Sequence, residues 1–390
     1  MPAAPSSLTA VVVDDWDPDL GELSEVPSAP PGLLALLDRV TDPRKRRGVR
    51  HRLPVILAVA LSATLAGARS FTAIAEWITD APPAERARLG IGAAPPSEST
   101  VRRTLQRLAP DRLDELVGAW MWLRTNVIDG RRVIAFDGKT LRGARDGAGN
   151  LTHLLAGLCH RTGTVLGQLE VGAKTNEIPL LRTLLDTMDI ADVVVTADAL
   201  HCQRGTAEYI TGRGGHYIFT VKDNQPKLRK QLKGLPWKQI PILHTRTESG
   251  HGRIEKRVLK ATEIAEGILF PKAVQVLQLT RTVTDRKTGK RHTEVVYAVT
   301  SLSAIDAQPG QVADWLRGHW HIENRLHWVR DVTYAEDHSQ IRTQGGPQVM
   351  ATLRNVAISL HRLDGHDNIA AALRHHARDH QRPITLLLTS

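Results

Sequence analysis

Asp137, Asp198 and Glu323 are the residues of this chain best placed by type and spacing to do chemistry. Asp137 closes the apolar run Val-Ile-Ala-Phe-Asp (133–137), Asp198 closes Val-Val-Val-Thr-Ala-Asp (193–198), and Glu323 sits in a segment dense in Trp, His and Arg. Short β-branched runs ended by Gly or small residues read as buried strands, so both aspartates stand on rigid, partly dry scaffolding. Carboxylates converging from such places can hold two magnesium ions about 3.5–4 Å apart, the arrangement that clamps the attacking and leaving oxygens of a phosphodiester. The chemistry implied is cutting and joining of nucleic acid.

Each acid also has an ordinary reading. Asp-Gly is a common turn dipeptide, and an Asp at a strand end often only caps the next turn. Glu323 on a solvated helix face could simply pair with Arg330 or His327. If 311–331 is one helix, however, Trp315, Ile322, Leu326 and Val329 form an inward stripe, with His319, Glu323, His327 and Arg330 stacked beside it. An acid at that border must be paired or bind a metal to offset its desolvation. Glu336 stands second as third ligand.

Composition points the same way. The 390 residues, enough for two or three domains, carry net charge +10. Residues 1–40 hold seven acids and one base, so the remainder carries +16 and suits a polyanionic partner. Cys159 and Cys202, with no metal-ligand spacing, read as free thiols of a reducing compartment. The longest uncharged stretch, 53–68, is too short for the roughly 20 residues of a membrane span. With no basic region followed by an apolar block at the start, a cytoplasmic, nucleoid-associated protein is expected.

Residues 1–30, rich in Pro, Ser and acids, read as a flexible leader. Helical spacing dominates from about 31 to 127, including a helix started by Ser97 or Ser99 with Val101, Leu105 and Leu108 inward. Strands are expected at 133–137, 151–159, 165–172, 192–198 and 216–221, with helices near 178–188 and 203–213. Three strands, a helix and a fourth strand ending in an acid is the order of a ribonuclease H-like core. Strand-like runs at 244–248, 254–260, 273–283 and 292–300 follow, the last two joined by a hairpin turn at 284–291, and helices resume at 309–331 and 345–363. The fold class expected is α/β: a ribonuclease H-like domain over 128–390 with a β-rich insertion at about 226–302, preceded by an all-α N-terminal domain.

Three basic zones could hold nucleic acid. Arg44, Lys45, Arg46, Arg47, Arg50 and Arg52 are the densest. Arg102, Arg103 and Arg107 line the outer face of a possible recognition helix. Lys139, Arg142 and Arg145, with Lys222 and Lys227, flank the first acid and the last core strand. Trp320 and Trp328 read as core residues ahead of base-stacking ones, and His375, His376 and His380 as a solvated face with no zinc.

Five sequence blocks, in order, carry a resemblance: Asp-Pro-Arg-Lys-Arg-Arg-Gly-Val-Arg-His (42–51), Phe-Asp-Gly-Lys-Thr-Leu-Arg-Gly (136–143), Thr-Ala-Asp-Ala-Leu-His-Cys-Gln (196–203), Ser-Gly-His-Gly-Arg-Ile-Glu (249–255) and His-Trp-His-Ile-Glu-Asn-Arg-Leu-His-Trp (319–328). The chain resembles the DDE transposases of bacterial insertion sequences, in the ISAs-type group with the H-repeat-associated proteins. The resemblance implies that Asp137, Asp198 and Glu323 are the catalytic, metal-binding triad for two Mg (or Mn) ions. It further implies double-stranded DNA as partner, both element ends and target, and a homodimer on DNA. His319 and Arg330 fall at phosphate-contact positions of the broader relatives, where Leu316 replaces a Tyr and His319 an Arg. The mechanism needs no protein–DNA covalent link, so no role falls to Tyr209, Tyr217, Tyr297 or Tyr334. The alternatives are a DNA-binding relic that no longer cuts and, behind it, a metal-dependent phosphoesterase.

Overall fold

A computed structural model describes residues 32–47, 49–125, 131–145, 149–172 and 176–390. The acidic leader expected at 1–30, and the domain junction expected at 127/128, lie outside the described residues.

Among the described residues of the first third, the regular elements are helices: α1 (Leu33–Leu37), α2 (Leu53–Leu65), α3 (Phe71–Asp80), α4 (Pro83–Arg88), α5 (Glu98–Arg107) and α6 (Pro110–Thr125). Ser70 and Ser97 start α3 and α5 by accepting hydrogen bonds from the backbone amides of Ala73 and Thr100, satisfying donors that a helix start otherwise leaves open. α2 is apolar on all sides and buried almost throughout.

The rest is mixed α/β around one sheet: β1 (Val133–Arg145), β2 (Leu151–Cys159), β3 (Val165–Glu170), α7 (Glu177–Asp186), β4 (Val194–Ala197), α8 (Arg204–Gly212), β5 (His216–Val221), α9 (Pro226–Lys233), β6 (His244–Gly250), β7 (Arg253–Glu263), β8 (Gln275–Asp285), β9 (Arg291–Thr300), α10 (Pro309–Gly318), α11 (Gly346–Leu363), α12 (Ile369–His376) and α13 (Gln381–Leu388). The strand order is β3-β2-β1-β4-β5-β9-β8-β7-β6. β1, β4 and β5 run parallel, the other pairings antiparallel. The main core is continuous from α1 through the sheet to α13. It is pinned across by polar contacts, including Tyr334 to the Thr64 carbonyl and Arg354 to the Arg69 carbonyl.

Two features govern the site. Phe136 pairs with Ala197 in parallel register, so Asp137 and Asp198 stand side by side where that pairing stops, on strands about 4.8 Å apart. Asp198 lies just past β4, whereas β1 does not end at 137 as expected but runs on beside β2 to Arg145. β9 meets β5 only through residues 297–300, with Val221 opposite Tyr297. The β6–β9 arm therefore runs on past the C-terminal end of β5 by residues 291–296, about 20 Å at 3.3 Å per residue.

The expected single helix over 309–331 is not what forms. α10 stops at Gly318, a turn follows, and Ile322–His327 and Val329–Thr333 form wide π-helical turns. Such turns are rare and gather at functional sites. Ile322, Leu326 and Val329 still point into the core, because their spacing suits either winding.

Candidate active site

Asp137 comes from within β1, Asp198 from just past the end of the neighbouring β4, and Glu323 from the first wide turn. All three act on one another. The Asp137 carboxyl is pushed up to about 7 by burial, then by the charges of Asp198, Glu323 and Glu177, with the Gly138 amide opposing. Burial also raises the Glu323 carboxyl, with Lys222 opposing and Asp198 reinforcing, although Glu323 is exposed. His327 Nδ1 lies 3.4 Å from Asp137 Oδ2. Burial, Arg330 and Lys139 push that imidazole down to about 3, so it is neutral at pH 7 and supplies no counter-charge. Asp198 partly follows the ordinary reading: Oδ1 accepts from the Leu200 and His201 amides and caps Ala199–His201. Among the described residues nothing donates to its Oδ2.

The arrangement is a concentration of hard oxygen donors with surplus negative charge, the donor set magnesium prefers. Among the described residues, no three His, Cys, Asp or Glu are gathered closely enough to chelate an ion as they stand.

Several sequence-predicted site residues lie elsewhere than expected. Arg330 is fully buried, donating to Glu336 at 2.8 Å, Gln168 at 3.3 Å and Asn355 at 3.4 Å; it cannot reach a phosphate. Glu336, the second choice for third ligand, is clamped between Arg330 and Arg354 in the core and is not a ligand. Lys139 is 8% exposed and held 2.6 Å from Asp331, so its charge is spent inside. His319 sits against Thr196 and is pushed down to about 4, chiefly by burial; a neutral imidazole cannot neutralise a phosphate. Arg44 folds back onto Asp42 and the His51 carbonyl. Trp320 and Trp328, expected in the core, are 54% and 56% exposed on either side of Glu323. His376 is buried rather than solvated.

The remaining cations are available. Lys45, Arg46, Arg47, Arg50, Arg103, Arg107, Lys222 and Lys227 are exposed; Arg142 is 80% exposed, 3.7 Å from Asp337. Arg145 is exposed but donates to the Gly149 carbonyl. Arg52 pairs with Asp38, and Arg102 with Glu98, at the surface. Both cysteines are free and buried. Among the described residues no helix is long and apolar enough to cross a membrane.

Two groups escape sequence reasoning. Glu177, at the start of α7, bears on Asp137, and only its Asn-Glu helix-start context marks it. Arg253, Lys287, Lys290 and Arg291 stand exposed at the end of the β6–β9 arm, where both hairpin turns meet through the Arg286 amide and the Gly252 carbonyl. Their sequence reads only as a turn.

Comparison with known proteins adds a third line. A family model described as Transposase DDE domain matches residues 128–360, and a second, described as associated with it, matches 34–121. YhhI of Escherichia coli (strain K12), an H repeat-associated protein provisionally named a transposase, is 27% identical over 343 residues, covering 84% of this chain and 89% of that protein. YncI of Escherichia coli O157:H7, also provisionally named a transposase, is 28% identical over 353 residues, covering 84% and 86%. Among solved structures, a piggyBac transposase synaptic complex with hairpin DNA aligns with a TM-score of 0.40 at 11% identity, over 91% of this chain and 76% of that one. So distant a likeness carries nothing about function.

Proposed function

The chain belongs to the DDE transposase family, with H repeat-associated relatives, and from that premise we propose that it binds the ends of an insertion element and cuts and rejoins DNA with divalent metal. Residues 128–390 form the ribonuclease H-like catalytic domain, interrupted by the β-rich insertion at about 226–302, and residues 31–127 the helical DNA-binding domain. The observation that carries the reading is the placement of Asp137 and Asp198 directly after paired residues of β1 and β4, with the charge of Glu323 acting on Asp137. A desolvated carboxylate without a matching charge is costly, and acids whose charges bear on one another in this way suit a cation that the protein does not supply itself.

Asp137, Asp198 and Glu323 would hold the ions. Bound there, two divalent ions would activate water or a DNA 3′ hydroxyl and stabilise the leaving oxygen. The chain does the rest. Asp198 keeps Oδ2 turned away from the cap that occupies Oδ1. His327, neutral beside Asp137, leaves that carboxylate uncompensated. Lys222, exposed and within the field of Glu323, contacts a phosphate next to the scissile one. Trp320 and Trp328 offer faces for unstacked bases on both sides of Glu323. Lys45, Arg46, Arg47 and Arg50, and the Arg253–Lys287–Lys290–Arg291 tip, follow the duplex backbone. Two ends must be joined, so the working form is a homodimer on DNA.

The lack of a closed chelate among the described residues favours one competing reading, a relic that holds ends without cutting. Nicking of supercoiled plasmid carrying the element ends, in magnesium, separates the two. The wild-type protein is expected to nick and Asp137→Ala not to; equal nicking by both, or by neither, removes the catalytic reading.

A further inference from the structure

Glu177 is the one acid at the site with partners on both aspartate-bearing segments. On the Asp137 side, its Oε1 accepts from His153 Nε2 at 2.6 Å, and His153 Nδ1 lies 2.8 Å from Thr140 Oγ1 on β1. Gly138, directly after Asp137, makes room for this carboxylate; a Cβ at that position would collide with it. On the Asp198 side, Glu177 Oε2 lies 3.3 Å from His201 Nε2, within ion-pair range though not aligned as a hydrogen bond. His201 is fully buried in the short turn that Asp198 caps, and neither ring nitrogen has an aligned partner. Burial alone would raise the Glu177 carboxyl; His153 and His201 overcome this and bring it down to about 2.

We propose that Glu177 is a positioning residue for divalent-ion binding, bracing strand β1 to the Asp198 turn through His153 and His201 and so fixing the separation of Asp137 and Asp198. The proposal rests on the reading that those aspartates hold the ions. A brace is needed because Asp198 lies just beyond the last paired residue of β4, capping a three-residue turn, opposite a carboxylate that repels it. Both Glu177 oxygens face imidazoles, so it supports the ligands without joining them. Removing polar groups that orient ligands from behind commonly costs about 10–100-fold in metal affinity.

The test is Mn²⁺ titration of the full-length protein, followed by the electron paramagnetic resonance of free Mn²⁺, with melting temperatures in EDTA alongside. Glu177→Ala is expected to weaken Mn²⁺ binding by about 10–100-fold with little change in melting. Glu177→Gln should recover most of the affinity, because its amide can accept from His153 and donate to His201. Gly138→Ala, which displaces the carboxylate, should behave like Glu177→Ala. Asp137→Ala serves as control: if it binds Mn²⁺ as wild type does, the underlying triad reading fails. If Asp137→Ala loses Mn²⁺ while Glu177→Ala binds normally, the brace is overturned and the triad stands. Equal weakening in Ala and Gln, or lowered melting with intact Mn²⁺ affinity, also overturns it.

Discussion

Two clusters of ionisable residues lie close together in this protein and follow opposite rules. In the core, Arg330, Glu336 and Arg354 are almost fully buried, and Glu336 is lowered overall because Arg330 and Arg354 outweigh the burial that would raise it. Every charge there has an opposite within 2.8 Å. A few residues away and nearer the surface, the Asp137 carboxyl is raised by burial and by the charges of Asp198 and Glu323, and that of Glu323 by burial and by Asp198. The first cluster is complete without a ligand; the second is not. Compensation marks charges that hold the fold, and its absence marks charges kept for a partner.

The contrast breaks if the two clusters respond alike to substitution. Asp137→Ala is expected to lower strand cleavage by at least about a thousandfold, since metal clamping supplies several kcal/mol at 1.36 kcal/mol per tenfold. Its melting temperature in EDTA should hold or rise, because a repelled carboxylate is removed. Glu336→Ala should do the reverse. It strands two buried guanidinium groups, which costs about 3–5 kcal/mol, read by chemical denaturation, while metal affinity at low temperature survives. A stable Glu336→Ala protein with poor metal binding would erase the distinction.

Asp114 sharpens the comparison, because it is buried like Glu336 but lacks a cation. Thr352, Gln348 and Gln168 donate to it, yet burial dominates and pushes its carboxyl up to about 7. A folded-state value above the unfolded one means that this group stabilises the protein fully below pH ~4, with the contribution lost as pH rises through about 7. Denaturation from pH 4 to 8 should show stability declining by up to about 1.4 kcal/mol per pH unit from this group. Asp114→Asn should remove that slope. An unchanged slope in the variant would assign the pH dependence elsewhere.

Much of this was legible in the sequence, for identifiable reasons. The runs leading to Asp137 and Asp198 are rich in Val, Ile and Ala and form buried strands, although β1 continues past Asp137, and Ser97 marks a helix start through its own hydrogen bond. The strands of the arm are found within a few residues of their expected positions. What stayed hidden depends on partners distant in the chain. Nothing near Lys139 announces Asp331, and nothing near Arg330 distinguishes a guanidinium facing Glu336 and Gln168 from one facing DNA. Trp320 and Trp328 look like core by composition; the turn at 319–320 and the wide helix after it carry them outward. Glu177 reaches the site only because the sheet brings α7 beside β1.

The smallest expected effect concerns the arm, where the same comparison recurs within one sheet. Along its middle, arginines are matched: Arg257 and Arg281 with Glu255, and Arg246 with Glu248, which also takes Arg317 of α10. At its end, the exposed Arg253, Lys287, Lys290 and Arg291 have no ion pair among the described residues, and the nearby Asp285 is engaged by the amides of Thr288 and Lys287 and by the Thr288 hydroxyl. Charges that only kept the arm soluble would not affect DNA binding, whereas charges on a duplex backbone release counterions. Replacing Lys287, Lys290 and Arg291 by Ala should leave melting unchanged and lower the slope of log affinity against log salt by about 0.9 per lost phosphate contact. Binding isotherms on element-end DNA at several salt concentrations measure this directly. A full slope in the triple variant would place the duplex away from the arm and confine DNA contact to Lys222 and the 45–50 cluster.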